Sequence, residues 1–228
     1  MGVGRVRETR ALLLDALGTL VELPPPAPAL REELAAAGVK IRESEAAWAM
    51  GAEIAFYRAH LHHAGNAEGL ASLRERCTKV LRDALPAHAR RVDDLQGILL
   101  RALRFRPYPE VPAALAAWRE AGLRLVVVSN WDVSLHEVLA TTGLAPLLDG
   151  VVTSAEAQVS KPDARLFALG LERAGVAAGE ALHVGDTYDE DVLGARAAGI
   201  EPVLVVRDGA APPSDVTVVR ALDLLQVR

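Results

Sequence analysis

Acidic and polar side chains follow several apolar stretches of this chain, and their types suit hydrolytic chemistry. Asp15 closes the apolar run at 11–14 and is followed by Gly18 and Thr19. A carboxylate at the end of a buried strand, just before a glycine turn, lies where open α/β sheets bind their ligands. Such a carboxylate can act as a nucleophile and divide a hydrolysis into two easier steps. Three islands downstream repeat this layout: Ser129-Asn130, Ser160-Lys161-Pro162, and Gly185-Asp186 with Asp189 and Asp191 close behind.

Alternating helices and strands between residues 110 and 199 are predicted to position these side chains. Apolar strands are expected at 123–128, 150–153, 181–184 and 202–206, with a last one at 216–219. Continuous apolar strands indicate a sheet covered on both faces, and short links through helices imply parallel strands with right-handed crossovers. Ser134 and Asp163 are predicted to cap two of the helices. The predicted fold class is α/β, a doubly wound parallel sheet that also contains the distant strand before Asp15.

Residues 22–106 have a different character. Prolines at 24, 25, 26 and 28 open the segment, no strand is convincing, and four apolar stripes predict four helices. The stripes are Leu30/Leu34, Ala47/Ile54/Ala55/Leu61, Leu70/Leu73/Cys77/Val80 and Val92/Leu95/Ile98/Leu99. We therefore predict a helical domain at 22–106, inserted after the first strand of an α/β core at 1–21 and 107–228. It would hang over the carboxyl edge of the sheet, with hinges near 21–28 and 105–109.

The ordered motifs resemble those of the haloacid dehalogenase-like superfamily of aspartate-nucleophile hydrolases. Those motifs are a nucleophile Asp with Gly-Thr-Leu, a Ser/Thr-Asn after a strand, a Lys-Pro, and a Gly-Asp with a second acid downstream. The residues at matching places here are Asp15, Ser129, Lys161, Asp186 and Asp191. The resemblance implies a Rossmann-like core, a helical cap over the site, and hydrolysis of a small phosphorylated metabolite through an aspartyl-phosphate.

A magnesium site is the cofactor prediction. Mg²⁺ prefers hard oxygen ligands, often one or two carboxylates with waters and a substrate phosphate. Asp15 and Asp186 at neighbouring strand ends would supply carboxylates, and Asp191 would orient a metal-bound water. By resemblance, the backbone carbonyl of Leu17 is a further ligand.

Substrate contacts are predicted from the remaining polar groups. Lys161 supplies a positive charge that would hold both the nucleophile and the transferring group. Ser129, and backbone N–H groups near Asn130, would donate hydrogen bonds to phosphate oxygens. Asp163 and Asp189 are interpreted as helix caps or solvated acids. In the helical segment Arg58, His60, His62 and His63 are interpreted as a polar helix end. The alternative is a functional set that contacts a phosphate or supplies a proton.

Leu17 departs from the pattern of the superfamily's phosphatases, which carry a second Asp two residues after the nucleophile. That Asp protonates the leaving alcohol and later activates water, help worth ~10²–10⁴-fold, and an aliphatic side chain cannot replace it. Three consequences stay open. The leaving group needs no proton, or a cap residue or the substrate supplies it, or phosphatase turnover is slow.

Two alternatives to a phosphatase follow. The L-2-haloacid dehalogenase branch has a motif resembling Asp-Ala-Tyr-Gly-Thr-Leu, and halide leaves without a proton. That branch places uncharged residues where this chain keeps Asp186, so the acid favours the metal-dependent interpretation. The halide-binding Arg of that branch has only Arg42 and Arg58 as candidates here. The second alternative is a catalytically weakened binding or regulatory protein.

Composition restricts the partners. The 228 residues carry a net charge of −5 with both signs interspersed, which argues against a nucleic-acid or anionic-membrane binder. The cluster Arg101, Arg104 and Arg106 is predicted to be a solvated helix face. A single cysteine, Cys77, excludes an internal disulfide and is expected in the core. No apolar run approaches the ~18 residues of a membrane span, so we predict a cytoplasmic protein, a monomer or homodimer.

Overall fold

A computed structural model describes residues 9–207 and 214–227 of the chain, so the predicted core residues 1–8, 208–213 and 228 lie outside it. The strands and helices are, in chain order, β1 (Ala11–Leu14), β2 (Val21–Glu22), α1 (Pro26–Ala36), α2 (Glu43–His60), α3 (Ala67–Ala84), α4 (Leu95–Ala102), β3 (Arg106–Pro107), α5 (Val111–Glu120), β4 (Arg124–Ser129), α6 (Leu135–Thr141), β5 (Gly150–Thr153), α7 (Ser154–Ala157), α8 (Ala164–Ala174), β6 (Ala181–Gly185), α9 (Gly194–Ala197), β7 (Glu201–Val205) and β8 (Thr217–Val219). A π-helical turn, Tyr188–Leu193, leads into α9.

Six strands form one parallel sheet in the order β5-β4-β1-β6-β7-β8. This confirms the predicted α/β class and the place of the first strand within the sheet. In the register, Leu14 at the end of β1 is opposite Val127 of β4 and Val184 of β6. The polar residues that follow these three strands therefore emerge at one edge.

The strands are apolar on both faces because helices cover both faces. Leu12 and Leu14 belong to one buried cluster with Leu115 and Trp118 of α5. Leu13, which points to the opposite face, belongs to a second cluster with Phe167 of α8. All four residues of β1 are fully buried, so the strand that carries Asp15 is fixed from both sides.

Four helices, α1–α4, fill the segment between β2 and β3, and they bury a hydrophobic cluster of their own. The two connections to the sheet pair with each other as a short antiparallel ribbon, with Val21 opposite Pro107 and Glu22 opposite Arg106. The four helices were predicted and the ribbon was not. The division into a core and a cap domain at 22–106 stays a prediction. None of the described helices has both the length and the apolarity needed to cross a bilayer.

Two local predictions were wrong. The buried face of α2 consists of Ala46, Ala49, Met50 and Glu53, whereas Ala47 and Ala55 are exposed. Alanines occur all around this helix, so its sequence has no single apolar stripe to identify the buried face.

The Ser134 side chain makes no capping hydrogen bond to α6. The Asp132 carboxylate instead accepts from the Ser134 backbone N–H at 2.7 Å, and the Ser134 hydroxyl accepts from the Trp131 indole at 3.3 Å. An acid two residues upstream therefore satisfies the backbone group that marks the start of this helix. The predicted cap at Asp163 is confirmed, since its carboxylate accepts from the Arg165 N–H.

Candidate active site

A buried lysine joins two carboxylates at the edge of the sheet. The Lys161 ammonium lies 2.6 Å from Asp15 Oδ1 and 2.6 Å from Asp191 Oδ1. The Ser129 hydroxyl donates to the same Asp15 oxygen at 3.0 Å. All four side chains are buried, and three of them follow or close different strands. Residues separated by more than a hundred positions are therefore brought into direct contact, as the strand-end layout predicts.

Asp186 completes a group of three acids. Ligand oxygens of Asp15, Asp186 and Asp191 all lie within 4.8 Å of one another. Two glycines make this possible. A Cβ on Gly18, whose φ is +84°, would lie 1.9 Å from Asp186 Oδ2, and one on Gly185 would lie 2.1 Å from the Asp191 carboxyl carbon. The glycine turn after Asp15 is therefore required for close approach of the acids as well as for its positive φ.

The three acids differ in acidity because their donors differ. Burial alone would raise the pKa of Asp191, but Lys161 and His183 lower it. The resulting pKa of Asp191 is well below its usual range. Burial dominates at Asp15, so its pKa is raised despite the attraction of Lys161. Asp186 is more exposed than the other two acids, but partial loss of hydration, with repulsion from Asp15 and Asp191, raises its pKa to about 7. Asp15 is therefore the more basic of the two carboxylates that share the lysine.

Lys161 keeps its charge in this setting. Burial alone would lower its pKa, but the carboxylates of Asp15 and Asp191 reverse that effect and raise it above the ordinary range. The Asn130 side chain holds the lysine's backbone: its Oδ1 accepts from the Lys161 N–H at 2.8 Å, and its Nδ2 donates to the Lys161 carbonyl at 3.1 Å. The same Nδ2 donates to Glu190 at 2.8 Å. The side chain of Asn130 thus fixes the lysine loop, and its predicted contribution to phosphate binding stays a prediction.

His183 is a site residue that the sequence prediction missed. It lies on β6, is fully buried, and its Nε2 is 2.9 Å from Asp191 Oδ1. The second oxygen of Asp191 accepts the Thr187 backbone N–H at 2.9 Å. Asp191 is therefore held from three directions, by lysine, histidine and backbone. A polar residue inside the apolar strand Ala-Leu-His-Val-Gly was the signal that could have identified it.

Arg207, two residues after the end of β7, was also missed. Its guanidinium donates to the carbonyls of Gly18 at 3.0 Å and Thr19 at 2.8 Å, pairs with Glu110 at 2.7 Å, and lies 3.6 Å from the centre of the Tyr108 ring. Both carbonyls belong to the turn that follows Asp15. Arg207 therefore holds this turn against the sheet.

We predict that Arg207→Met lowers kcat about 10-fold with little change in KM, because a turn that is displaced by a fraction of an ångström misplaces the reacting groups without removing a substrate contact. Steady-state kinetics below the melting temperature measures this. Arg165→Met is the matched control, because Arg165 is exposed and pairs with the neighbouring Asp163. Equal loss in both variants, or a change in KM alone, would contradict a positioning role.

Of the remaining predicted residues, two line a cleft between the helical segment and the sheet edge, and the three histidines are not among its lining residues. Leu17 lines this cleft with its side chain 39% exposed, and Arg58 lines it from α2. His60 bonds within its own helix, 2.7 Å from the Phe56 carbonyl. His62 offers its carbonyl to Gln158 at 3.1 Å, which places this end of α2 beside α7. The His63 ring lies against the His62 ring at a tilt of 46°, with ring centres 3.9 Å apart.

The clustered arginines are solvated as predicted but do not share a helix face, since only Arg101 is on α4 and Arg106 is on β3. Arg101 and Arg104 are exposed on or beside α4 and pair with Glu33 of α1, and Arg106 pairs with Glu22. Cys77 is buried among the apolar residues of the four helices. These ion pairs lie on the surface, outside the acid group.

The profile of haloacid dehalogenase-like hydrolases matches residues 9–199, which include every acid of the site. The chain belongs to the haloacid dehalogenase-like hydrolase family. Among curated relatives, the phosphoserine phosphatase of Thermus thermophilus is 39% identical over 136 residues, which is 57% of this chain and 54% of that protein. This haloacid dehalogenase-like hydrolase spans about half the length, or less, of the curated relatives it matches.

Solved structures extend the similarity to nearly the whole chain of this haloacid dehalogenase-like hydrolase. A HAD phosphatase from Thermococcus onnurineus has a TM-score of 0.64 at 24% identity, covering 94% of this chain and 95% of that one. The L-2-haloacid dehalogenase of Xanthobacter autotrophicus has a TM-score of 0.65 at 23% identity, covering 94% and 95%. Phosphatase and dehalogenase thus share this fold equally, and the side chains must decide between them.

Proposed function

We propose that this hydrolase removes phosphate from a small phosphorylated metabolite in a Mg²⁺-dependent reaction, with Asp15 as nucleophile and an aspartyl-phosphate as intermediate. The observation that carries the proposal is the group of three carboxylates, Asp15, Asp186 and Asp191, within 4.8 Å of one another. The similarity to a phosphoserine phosphatase supports the same reaction class.

The acid group fits a hard divalent cation. Asp15 and Asp191 share one ammonium, whereas the Asp186 side chain bonds only to the Thr187 hydroxyl, at 3.2 Å, among the described residues. An acid that repels its neighbours and has no cation of its own is a suitable ligand for Mg²⁺. The ion would be held by Asp15, Asp186 and the carbonyl of Leu17, and Asp191 would orient a metal-bound water. When bound, Mg²⁺ would supply the positive charge that lets an anionic nucleophile approach an anionic phosphate.

The protein side chains prepare the nucleophile. Both described side-chain donors to the Asp15 carboxylate, Ser129 and Lys161, contact Oδ1, so Oδ2 is the oxygen left to attack phosphorus. The ammonium of Lys161 has three N–H groups, and two of them point to Asp15 and Asp191. The third is available to a phosphoryl oxygen, where it would stabilise the charge of the transition state.

Phosphate release from a panel of phosphomonoesters, with Mg²⁺ and after chelation, tests the proposal. We expect release only with the metal, and thermal stabilisation of the substrate-free protein by Mg²⁺ of about 2–3 kcal/mol at a concentration ~100 times its Kd. Asp186→Asn should lose that stabilisation, whereas Asp189→Asn, which changes an exposed acid of the same loop, should keep it. Release that is indifferent to chelator would contradict the metal-dependent reaction.

Dehalogenation is the second candidate, because Leu17 provides no proton for a leaving alcohol and a dehalogenase shares the fold. Its test is halide release from 2-chloropropionate that is unaffected by chelator. Asp186 disfavours it, since a further carboxylate beside Asp15 would repel a carboxylate substrate. If neither phosphate nor halide is released while Mg²⁺ still stabilises the protein, the remaining candidate is a binding or regulatory protein.

A further inference from the structure

The cleft between the four helices and the sheet edge has a volume of about 760 Å³. It begins at Leu17 and Gly18, beside the acid group, and extends to Glu53, Tyr57 and Cys77 on α2 and α3. Its walls are largely apolar, with Ile54, Leu70, Leu73, Leu99, Phe105 and Trp131 among the lining residues. A phosphomonoester bound at Asp15 would direct its leaving group into this space.

Glu53 is a buried acid in the wall of this cleft. The residue is 4% exposed and lies on the inward face of α2. Its one described partner is the Cys77 thiol, a weak donor, and burial raises the pKa of its carboxyl. Carboxylates are rarely buried in proteins without a partner that compensates for lost hydration. A charged Glu53 carboxylate therefore destabilises the substrate-free protein, and a ligand that pairs with this carboxylate would remove that cost.

Every other acid that lines the cleft has a strong donor. Glu22 pairs with Arg106 at 2.7 Å and Glu137 with Arg74 at 2.9 Å. Asp132 accepts the Ser134 N–H and a hydrogen bond from Tyr57, with Arg74 nearby.

The cations that line the cleft do not neutralise Glu53 either. Arg74 and Arg104 are engaged with other acids, and Arg58 is exposed to solvent. Among the described residues that line the cleft, Glu53 is thus the acid without a cation or a backbone donor.

We propose that the leaving alcohol of the substrate carries an ammonium group at the end of a short apolar chain, and that Glu53 receives this ammonium. The proposal rests on the phosphatase function proposed above. An ammonium forms a charge-assisted hydrogen bond with the carboxylate and restores its charge in a dry pocket. A methyl group at the same place would leave the acid unpaired, and an alcohol would supply one neutral hydrogen bond.

The test uses n-alkyl phosphates of several chain lengths that end in ammonium, hydroxyl or methyl. We expect the ammonium ester of the best length to exceed its methyl counterpart by ~10–100-fold in kcat/KM, the range of one charged hydrogen bond. Glu53→Gln, of the same shape, should lose this preference and retain hydrolysis of the methyl ester. Glu75→Gln, an exposed acid on α3, is the matched control and should keep it.

The outcomes separate the two proposals. Equal rates for ammonium and methyl esters at every length, or an unchanged preference in folded Glu53→Gln, would overturn the role of Glu53 while leaving the phosphatase intact. If no ester releases phosphate, the phosphatase proposal fails. Thermal stabilisation of the wild-type protein by each ester then decides whether Glu53 binds the ammonium group. Greater stabilisation by the ammonium ester, lost in Glu53→Gln, supports Glu53, and equal stabilisation by both esters rejects it.

Discussion

Asp15→Asn is expected to lower phosphate release by ~10⁴-fold or more, the scale on which hydrolases lose activity with their nucleophile. The carboxamide has the same shape but is a poor nucleophile, and the covalent route then closes. Lys161 retains Asp191 as a partner at 2.6 Å, so the lysine stays paired and the fold should survive. Initial rates of phosphate release, with a melting curve of the variant, measure both effects.

The covalent intermediate gives this prediction a second readout. Wild-type protein quenched in acid during turnover should carry a phosphoryl group on the peptide that contains Asp15, and mass spectrometry detects the added mass. Asp189→Asn, in the loop after Asp186, is the control and should stay within about twofold of the wild-type rate, because an exposed acid contributes little. A phosphorylated peptide elsewhere, or a tenth of the activity left in Asp15→Asn, would mean that another group attacks.

The strand-end side chains were predictable because of a topological rule. Parallel strands end at one edge of their sheet, so Asp15, Ser129 and Asp186 must approach one another once their strands are neighbours. The order β4-β1-β6 makes them neighbours. Apolar runs and glycine stops identified these strands to within a residue or so, since few other structures bury a continuous aliphatic run beside a turn.

Residues that act through long-range contacts were not predictable. Arg207 reaches the Gly18 carbonyl across 189 positions, and nothing in the local sequence of either residue indicates the other. His183 is marked as unusual by its polarity within an apolar strand, but its contact with Asp191 becomes evident only in the folded chain. The β2–β3 ribbon has two residues per strand, too few to leave a periodic signal. Glu53 was not predicted because an acid in an alanine-rich helix ordinarily faces solvent, whereas this one is buried.

Leu17→Asp is expected to raise the turnover of alkyl phosphates by ~10²–10⁴-fold, the usual contribution of a general acid. Leu17 is 39% exposed and lines the cleft, so a shorter polar side chain there costs little packing. Repulsion from Asp15 and Asp186 should raise the pKa of the new carboxyl and keep a proton on it for the leaving oxygen.

The leaving group distinguishes this explanation from a general improvement of the site. An alkoxide needs protonation, whereas p-nitrophenolate leaves without it, so the gain in Leu17→Asp should be large for alkyl phosphates and small for p-nitrophenyl phosphate. Leu17→Asn introduces a carboxamide of the same size as the carboxyl group but without an acidic proton. Its turnover should not rise on either substrate. Equal increases in turnover for Leu17→Asp and Leu17→Asn would indicate that removal of the leucine side chain opened the cleft. If turnover does not rise in a folded Leu17→Asp variant that Mg²⁺ still stabilises, the leaving group receives its proton from another source. That source would be the substrate or the helical segment.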